Sequence, residues 1–243
     1  MEPEAWWLKW NHQLVYDWLL QFARAIGIRR VENPEANLDF SDEPDVESLL
    51  KQIDDRIGIR VDFPNLYEGE IGLQTSHGVA NIRAIYALYQ AWRTASLVSH
   101  RGSARVLEIG AGLGRAAYYS IKFGVKNYTI IDIPLTGHIP WEEESIAQVR
   151  VLPPVAYESL KEPFDLIVNV DSMTEMAKPT AESYVFGASR LAPKFLSVNH
   201  EHNSFTVESI YRNMPNVTAW RAPCWARRGY VEELIDLTAA QVR

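Results

Sequence analysis

Residues 105–114 read RVLEIGAGLG, and residues 128–134 read YTIIDIP. Each segment contains a run of apolar and β-branched residues, which is typical of a strand buried in a parallel sheet. The first run ends in Gly110, Gly112 and Gly114, which predicts a sharp turn from the strand into a helix. Glycines also let a ligand approach the backbone where side chains would collide, so this turn is a candidate binding site.

The spacing of the three glycines indicates which cofactor the turn binds. The pattern is GxGxG, whereas the dinucleotide pattern GxGxxG has one more residue before its third glycine. Glu108 precedes the first glycine by two residues, and Asp132 closes the second strand, where its carboxylate oxygens can accept hydrogen bonds from ribose hydroxyls. The turn also lacks the GKS or GKT ending of a P-loop. We therefore expect Glu108, Gly110, Gly112, Gly114 and Asp132 to bind S-adenosylmethionine (SAM) rather than NAD.

The second half of the chain alternates short apolar runs with helical patterns, which is typical of an α/β protein with a mostly parallel sheet and helices on both faces. We predict strands over 105–110, 128–133, 148–153, 164–170, 194–200, 216–221 and part of 230–237, and helices near 114–123, 180–191 and 205–213. The sequence predicts a Rossmann-like SAM-binding domain over 101–243. A helical cap that forms the substrate region precedes it over 1–100, and we expect the two to pack as one compact unit.

The N-terminal cap is predicted to contain three helices. The first, over 6–26, has an apolar residue every three or four positions, and we expect it to bury several indoles. A second apolar stripe over 46–57 precedes Gly58, a candidate C-cap, and a third pattern runs over 79–99.

The tryptophans of the first helix have two interpretations. Trp6, Trp7 or Trp10 could stack on the face of a sugar, because aromatic rings pack well on apolar surfaces. Indoles at helical spacing lie more often in a core, so packing or a contact between two copies of the chain is the favoured interpretation. This helix is therefore the candidate surface for a homo-oligomer.

Composition excludes several classes of partner. The formal net charge is −7 and Lys and Arg form no long cluster, so nucleic acid is not an expected partner. No run of about 18 apolar residues could span a membrane, and the acidic start MEPEAWW does not resemble a secretory signal. With the single cysteine, Cys224, these features predict a cytoplasmic protein.

Four further stretches are informative when taken together: VLEIGAGLGRAAYYSIKFGVKNYTIIDIP, FDLIVNVDSMTEM, FLSVNHEHNSFTV and CWARRGYVEELI. In combination they resemble the sugar O-methyltransferase family of bacterial polysaccharide and glycoside gene clusters. The resemblance covers roughly residues 75–240 and implies a class I methyltransferase sheet of seven strands, the last antiparallel. It also implies transfer of a methyl group from SAM to a hydroxyl of a sugar or glycoside. The interval 135–149 is shorter than the family pattern, which implies a trimmed helix beside the adenosine.

Polar residues follow the fourth and fifth predicted strands, whose carboxyl ends meet at one edge of the sheet. They are Asn169, Asp171, Ser172 and Glu175, and Asn199, His200, Glu201 and His202. Transfer to an alcohol needs a base, and we expect His200 to be that base, with Asp171 as its partner or substitute. Alternatively, Asp171, Glu175, His200 and Glu201 could bind Mg²⁺. His77, just before the third helix, is a further candidate site residue.

Two other functions stay open at this point. The acceptor could be a non-sugar natural product that is methylated on oxygen or nitrogen, because acceptor choice depends on the cap and loops rather than on the glycine turn. The chain could also be a noncatalytic SAM-fold binding protein, although the acids at 108 and 132 and the polar clusters argue against this.

Overall fold

The computed structural model describes residues 3–28, 44–65, 69–133 and 149–240, with side chains from residue 6 onward. The chain forms two compact units, Met1–Tyr89 and Gln90–Arg243, and the division falls within the third helix. The interval 135–149, for which a trimmed helix was expected, lies almost entirely outside the described residues. No helix in the described part of the chain is long and apolar enough to cross a membrane.

The first unit contains helices and a short hairpin. The helices are α1 (Pro3–Ala25) and α2 (Val46–Ile57), the strands are β1 (Leu73–Thr75) and β2 (Gly78–Ala80), and α3 (Ile82–Leu97) begins in this unit and ends in the next. Asp45 caps α2 by accepting the N–H groups of Glu47 and Ser48. Gly58, with φ of 77°, ends α2 in the left-handed conformation, as the sequence predicted. The sequence did not predict the hairpin, because each of its strands has only three residues.

The prediction that α1 buries several indoles is wrong. Trp6, Trp7 and Trp10 are 58%, 41% and 50% exposed. The buried face lies further along the helix, at Val15, Leu19, Phe22 and Ala23, and continues just beyond its end at Ile26. Helix α2 packs on α1, but at 12 residues against 23 it spans about 18 Å beside about 34 Å. Because the shorter helix covers only part of its neighbour, the first turns of α1 stay exposed.

The second unit is built on a seven-stranded sheet. Its strands are β3 (Arg105–Ile109), β4 (Asn127–Ile131), β5 (Val149–Leu152), β6 (Leu166–Val170), β7 (Lys194–His200), β8 (Thr218–Pro223) and β9 (Tyr230–Asp236). They lie in the order β5-β4-β3-β6-β7-β9-β8, and among these described strands only β9 runs against the others. This is the strand order of the Rossmann-like class I methyltransferase fold, so the predicted fold is confirmed.

Helices pack on this sheet and hold its strands in place, including the edge where the carboxyl ends of the parallel strands lie. They are α4 (Arg115–Lys122), α5 (Lys178–Leu191) and α6 (Val207–Tyr211). One core joins Leu107, Ile167 and Phe195 of the strands to Val185 and Leu191 of α5. Close packing of such a core leaves little freedom for the strands to shift. The residues that follow β3, β4, β6 and β7 are therefore presented together at one edge, where ligands bind in open α/β sheets.

Candidate functional site

The glycine turn after β3 has the open geometry that a ligand needs. Gly110, Gly112 and Gly114 all have positive φ, at 73°, 54° and 69°, a region that other residues rarely adopt. A Cβ at Gly110 would lie 2.1 Å from Ser172 Oγ, so this glycine is required by packing. Apart from its two chain neighbours, no described residue has an atom within 4 Å of a Cβ placed at Gly112. The space next to Gly112 is therefore available to a bound molecule.

The N–H groups of the three glycines are already used within the protein. Those of Gly110 and Gly114 donate to backbone carbonyls at 2.9 and 3.0 Å, and that of Gly112 donates to Asp132 Oδ2 at 2.8 Å. A phosphate-binding loop instead points its N–H groups at the ligand and carries no acid there. The turn therefore fits a cofactor without phosphate at this position.

Asp132 lies directly after β4 and is half-buried. Besides the bond to Gly112, its Oδ1 accepts the N–H of Ile133 at 2.6 Å, so two backbone groups fix the orientation of the carboxylate. Each carboxylate oxygen can accept more than one hydrogen bond. Asp132 can therefore accept the two hydroxyls of a ribose beside the open space at Gly112, and the residues present fit SAM.

Glu108 lies inside the sheet rather than at its edge. Its side chain is 2% exposed, and Tyr128 of β4 donates its hydroxyl to Glu108 Oε2 at 3.0 Å. Burial, opposed by this hydrogen bond and aided by the charge of Asp132, raises the pKa of Glu108 to about 7. The carboxyl group therefore carries a proton in a large share of molecules at neutral pH. From inside the sheet it supports the strand that leads into the glycine turn.

Two buried asparagines join the ends of β6 and β7 next to the glycine turn. Asn169 donates to the carbonyl of Ile109 at 2.8 Å and to Ser172 Oγ at 2.6 Å. Asn199 donates to Asn169 Oδ1 at 2.8 Å, and its own Oδ1 accepts the N–H of Met173 at 3.1 Å. The two polar clusters predicted at these strand ends therefore meet, and a satisfied buried network holds them in one arrangement.

Asp171, just after β6, forms a cluster with Arg227 and Tyr230, which we call the Asp171 cluster. The backbone of Asp171 has φ of 63°, which is uncommon for a residue other than glycine. Its Oδ1 accepts the hydroxyl of Tyr230 at 2.5 Å, and its Oδ2 accepts Arg227 Nη1. Burial, followed by the hydrogen bond to Asp171, raises the pKa of Tyr230 to about 12. The phenol therefore stays protonated and holds the carboxylate in place.

His200, the last residue of β7, lies on the other side of Tyr230. Its Nδ1 accepts the N–H of His202 at 3.0 Å, and its ring packs edge-on against the Tyr230 ring with centroids 4.9 Å apart. His200 and Asp171, the predicted base and its partner or substitute, form no direct hydrogen bond with each other among their described contacts. Tyr230 joins them instead, with its ring on His200 and its hydroxyl on Asp171.

The geometry gives no support to the Mg²⁺ site that Asp171, Glu175, His200 and Glu201 could have formed. Both oxygens of Asp171 are engaged by the Asp171 cluster, and Glu201 Oε2 pairs with Arg221 at 3.0 Å. Within the described ranges, no three His, Cys, Asp or Glu side chains are grouped so that they could hold a metal ion.

Sequence reasoning missed Arg227, Tyr230 and Tyr128. A signal for Tyr230 exists only once the register is known, because it is the Cα partner of His200 across β7 and β9. His77, the other histidine that the sequence singled out, lies in the first unit, where its Nε2 is 3.7 Å from Asp54 Oδ2. It therefore has a carboxylate partner within its own unit.

Neither a protein-family model nor a curated protein matches the sequence. Among solved structures, the chain is similar to a TehB-like SAM-dependent methyltransferase from Corynebacterium glutamicum, with 19% identity and a TM-score of 0.49 over 60% of this chain and 86% of that one. It is also similar to the glycopeptide N-methyltransferase MtfA, with 15% identity and a TM-score of 0.48 over 62% and 94% of the two chains. An O-methyltransferase family protein from Burkholderia thailandensis has 11% identity and a TM-score of 0.46 over 63% and 59%. Of these three proteins only MtfA has a named acceptor, a glycopeptide, and the likeness concerns the fold alone.

Proposed function

We propose that this protein is a SAM-dependent methyltransferase that acts on a hydroxyl of a sugar or glycoside. The observation that carries the proposal is the contact between Asp132 and the glycine turn. The carboxylate accepts the N–H of Gly112. Among the described residues, apart from the two next to Gly112, no atom lies within 4 Å of a Cβ placed at this glycine. A phosphate would be repelled there, whereas a ribose diol without phosphate finds two acceptors.

The polar residues around the turn have different roles in the proposed reaction. When bound, SAM supplies a methyl group whose bond to sulfur breaks, with the electron pair left on sulfur, as an acceptor oxygen bonds to the carbon. Asp132, oriented by the N–H of Gly112, would hold the ribose, and the Asn169–Asn199 network fixes the strand ends. The acceptor oxygen must be held in line and lose its proton as the new bond forms. Asp171 is a partly exposed carboxylate that could take this proton, since each of its oxygens can accept a further hydrogen bond beside those from Tyr230 and Arg227.

A sugar acceptor is supported by the chemistry of the Asp171 cluster and by the sequence resemblance. The cluster combines a carboxylate, a guanidinium group and a phenol, which together can accept from and donate to several hydroxyls. No observation favours an amine or a phenol over a sugar. The cytoplasmic location and the homo-oligomer predicted from the sequence remain predictions.

The test is turnover with separate pools of nucleotide sugars, free glycosides, phenols and amines. We expect S-adenosylhomocysteine to accumulate with a sugar-containing pool and not with the others, and the Gly112→Val variant to be inactive with every pool. Product formed only from phenols or amines would refute the sugar acceptor. Binding of SAM without turnover in any pool would favour the noncatalytic alternative, and absence of SAM binding by calorimetry would refute the cofactor assignment.

A further inference from the structure

The hydrogen bond to His200 determines which of its ring nitrogens carries a proton. Nδ1 accepts the backbone N–H of His202 at 3.0 Å. A backbone N–H can only donate, so Nδ1 must hold a lone pair. A neutral imidazole has one N–H group, which must then lie on Nε2. In this arrangement Nε2 is a hydrogen-bond donor and cannot take a proton from an alcohol.

The donor on Nε2 is directed to a position that a ligand can reach. No described residue forms a hydrogen bond with Nε2. A buried Nε2 without a partner would belong with the buried polar atoms that lack one, and it does not, so this atom is open to solvent. Gly229 lies beside it with φ of 83°, and a Cβ there would come within 3.1 Å of Nε2. The glycine therefore keeps this side of the imidazole uncrowded.

The donor and the Asp171 carboxylate lie on two sides of the same tyrosine. The ring of Tyr230 contacts His200, and its hydroxyl donates to Asp171 Oδ1 at 2.5 Å. His200 and Tyr230 are also Cα partners across β7 and β9, so the backbone ladder fixes their spacing. The Arg227 guanidinium lies over this ring, with its central carbon 3.8 Å from the ring centre. A molecule bound along the remaining side of Tyr230 would meet a hydrogen-bond donor and a carboxylate at once.

We propose that His200 is not the base but a positioning residue, which donates Nε2–H to one oxygen of the acceptor. Asp171 then takes the proton of a neighbouring hydroxyl. The O–H electron pair becomes the new oxygen–carbon bond, and the proton on Asp171 is released to water through its exposed side. This inference rests on the proposed function and narrows the acceptor to a compound with two adjacent oxygens, such as the vicinal diol of a sugar.

The tautomer can be measured without knowing the acceptor. Nitrogen-15 NMR of histidine-labelled protein at neutral pH distinguishes protonated from unprotonated ring nitrogens. The signals of His200 are assigned as those that disappear in His200→Gln, since the chain has six histidines. We expect a protonated Nε2 and an unprotonated Nδ1. A proton on Nδ1 would overturn the proposal, whatever the outcome of the turnover assay.

Three substitutions separate the donor from the base in any pool that gives turnover. His200→Gln places an amide N–H near the position of Nε2, and we expect its kcat within about threefold of wild type. His200→Asn can still accept the N–H of His202 but is too short to donate, and we expect the acceptor KM to rise about 3- to 10-fold with little change in kcat. Asp171→Asn should lower kcat by about 100-fold or more.

A base at His200 predicts a different result. His200→Gln and His200→Asn would then both lower kcat by about 10²- to 10⁴-fold, because neither amide can accept the proton. That result would overturn the proposal. SAM affinity measured by calorimetry should be unchanged in all three variants. If the wild-type protein does not bind SAM at all, the proposed function fails rather than this inference.

Discussion

Replacing Gly112 with alanine tests whether the glycine turn is the cofactor site. In the protein alone, the added methyl group meets no atom within 4 Å, so its cost is the backbone conformation at φ of 54°. An L-residue in the left-handed region costs about 1–2 kcal/mol. This corresponds to a fall in melting temperature of about 2–8 °C for a chain of this size.

The effect on SAM should be larger than the effect on folding, because the methyl group enters the space that the cofactor must occupy. Forcing a methyl group into a packed contact costs about 1–3 kcal/mol, which is about 5- to 150-fold in Kd. We expect titration calorimetry with SAM and S-adenosylhomocysteine to show a loss in this range for Gly112→Ala.

Two other glycines provide matched controls. Gly58 has φ of 77° and also no atom within 4 Å of a Cβ, so Gly58→Ala has the same backbone cost and should leave SAM affinity unchanged. Gly110→Ala would place its methyl group 2.1 Å from Ser172 Oγ, which Asn169 holds by a hydrogen bond, so it should destabilise the protein more than Gly112→Ala. If Gly112→Ala bound SAM within a factor of about two of wild type, the assignment of the turn would be refuted.

Two further variants test the acids near the turn. Asp132→Ala should raise the Kd for SAM about 10- to 100-fold, since two charge-assisted hydrogen bonds are lost and water replaces part of them. The control Asp236→Ala, which removes a similar bond to a backbone N–H, should not change that Kd. Equal effects of the two substitutions would contradict the ribose contact. The pKa of Glu108 is raised by burial from 4.5 to about 7, so the folded state retains a proton that the unfolded chain loses, and wild-type stability should fall as pH rises from about 4.5 to about 7. Glu108→Gln has no such dependence. Its free energy of unfolding relative to wild type, measured by denaturant titration at a series of pH values, should therefore grow by up to about 3 kcal/mol over that range. Parallel pH profiles would show that the buried carboxyl group does not cause the pH dependence of stability.

The sheet could be predicted from the sequence because each strand is a short apolar run with a turn at its end. RVLEI and LIVNV are found as strands where they were predicted, at Arg105–Ile109 and Leu166–Val170. The approach of Asp132 to Gly112 could also be expected, since β3 and β4 are parallel neighbours and both residues follow their carboxyl ends. The burial of α1 could not be predicted, because helical periodicity identifies an apolar face but not how much of it a partner helix covers.

The Asp171 cluster depends on information that the spacing of residues in the sequence does not contain. Arg227 and Tyr230 reach Asp171 only because β9 pairs with β7 in one antiparallel register, and the sequence contains no local pattern for that register. The role of His200 likewise depends on a single N–H from His202. A histidine after a strand therefore indicates a candidate site, whereas its tautomer requires coordinates.

The position of β9 has a consequence for biosynthesis. It is the last strand of the sheet along the chain, yet it lies between β7 and β8 rather than at the edge. A ribosome therefore releases the glycine turn and Asp132 about one hundred residues before Tyr230, and domains begin to form contacts as their N-terminal parts emerge. A nascent chain could therefore bring the glycine turn and Asp132 together first, whereas the Asp171 cluster must wait for Tyr230 on β9. Among the described strands β8 pairs only with β9, so until β9 emerges β8 has no partner strand and the outer edge of β7 stays unpaired. Because such non-local strand pairing is slow, this edge is exposed to chaperones during the interval.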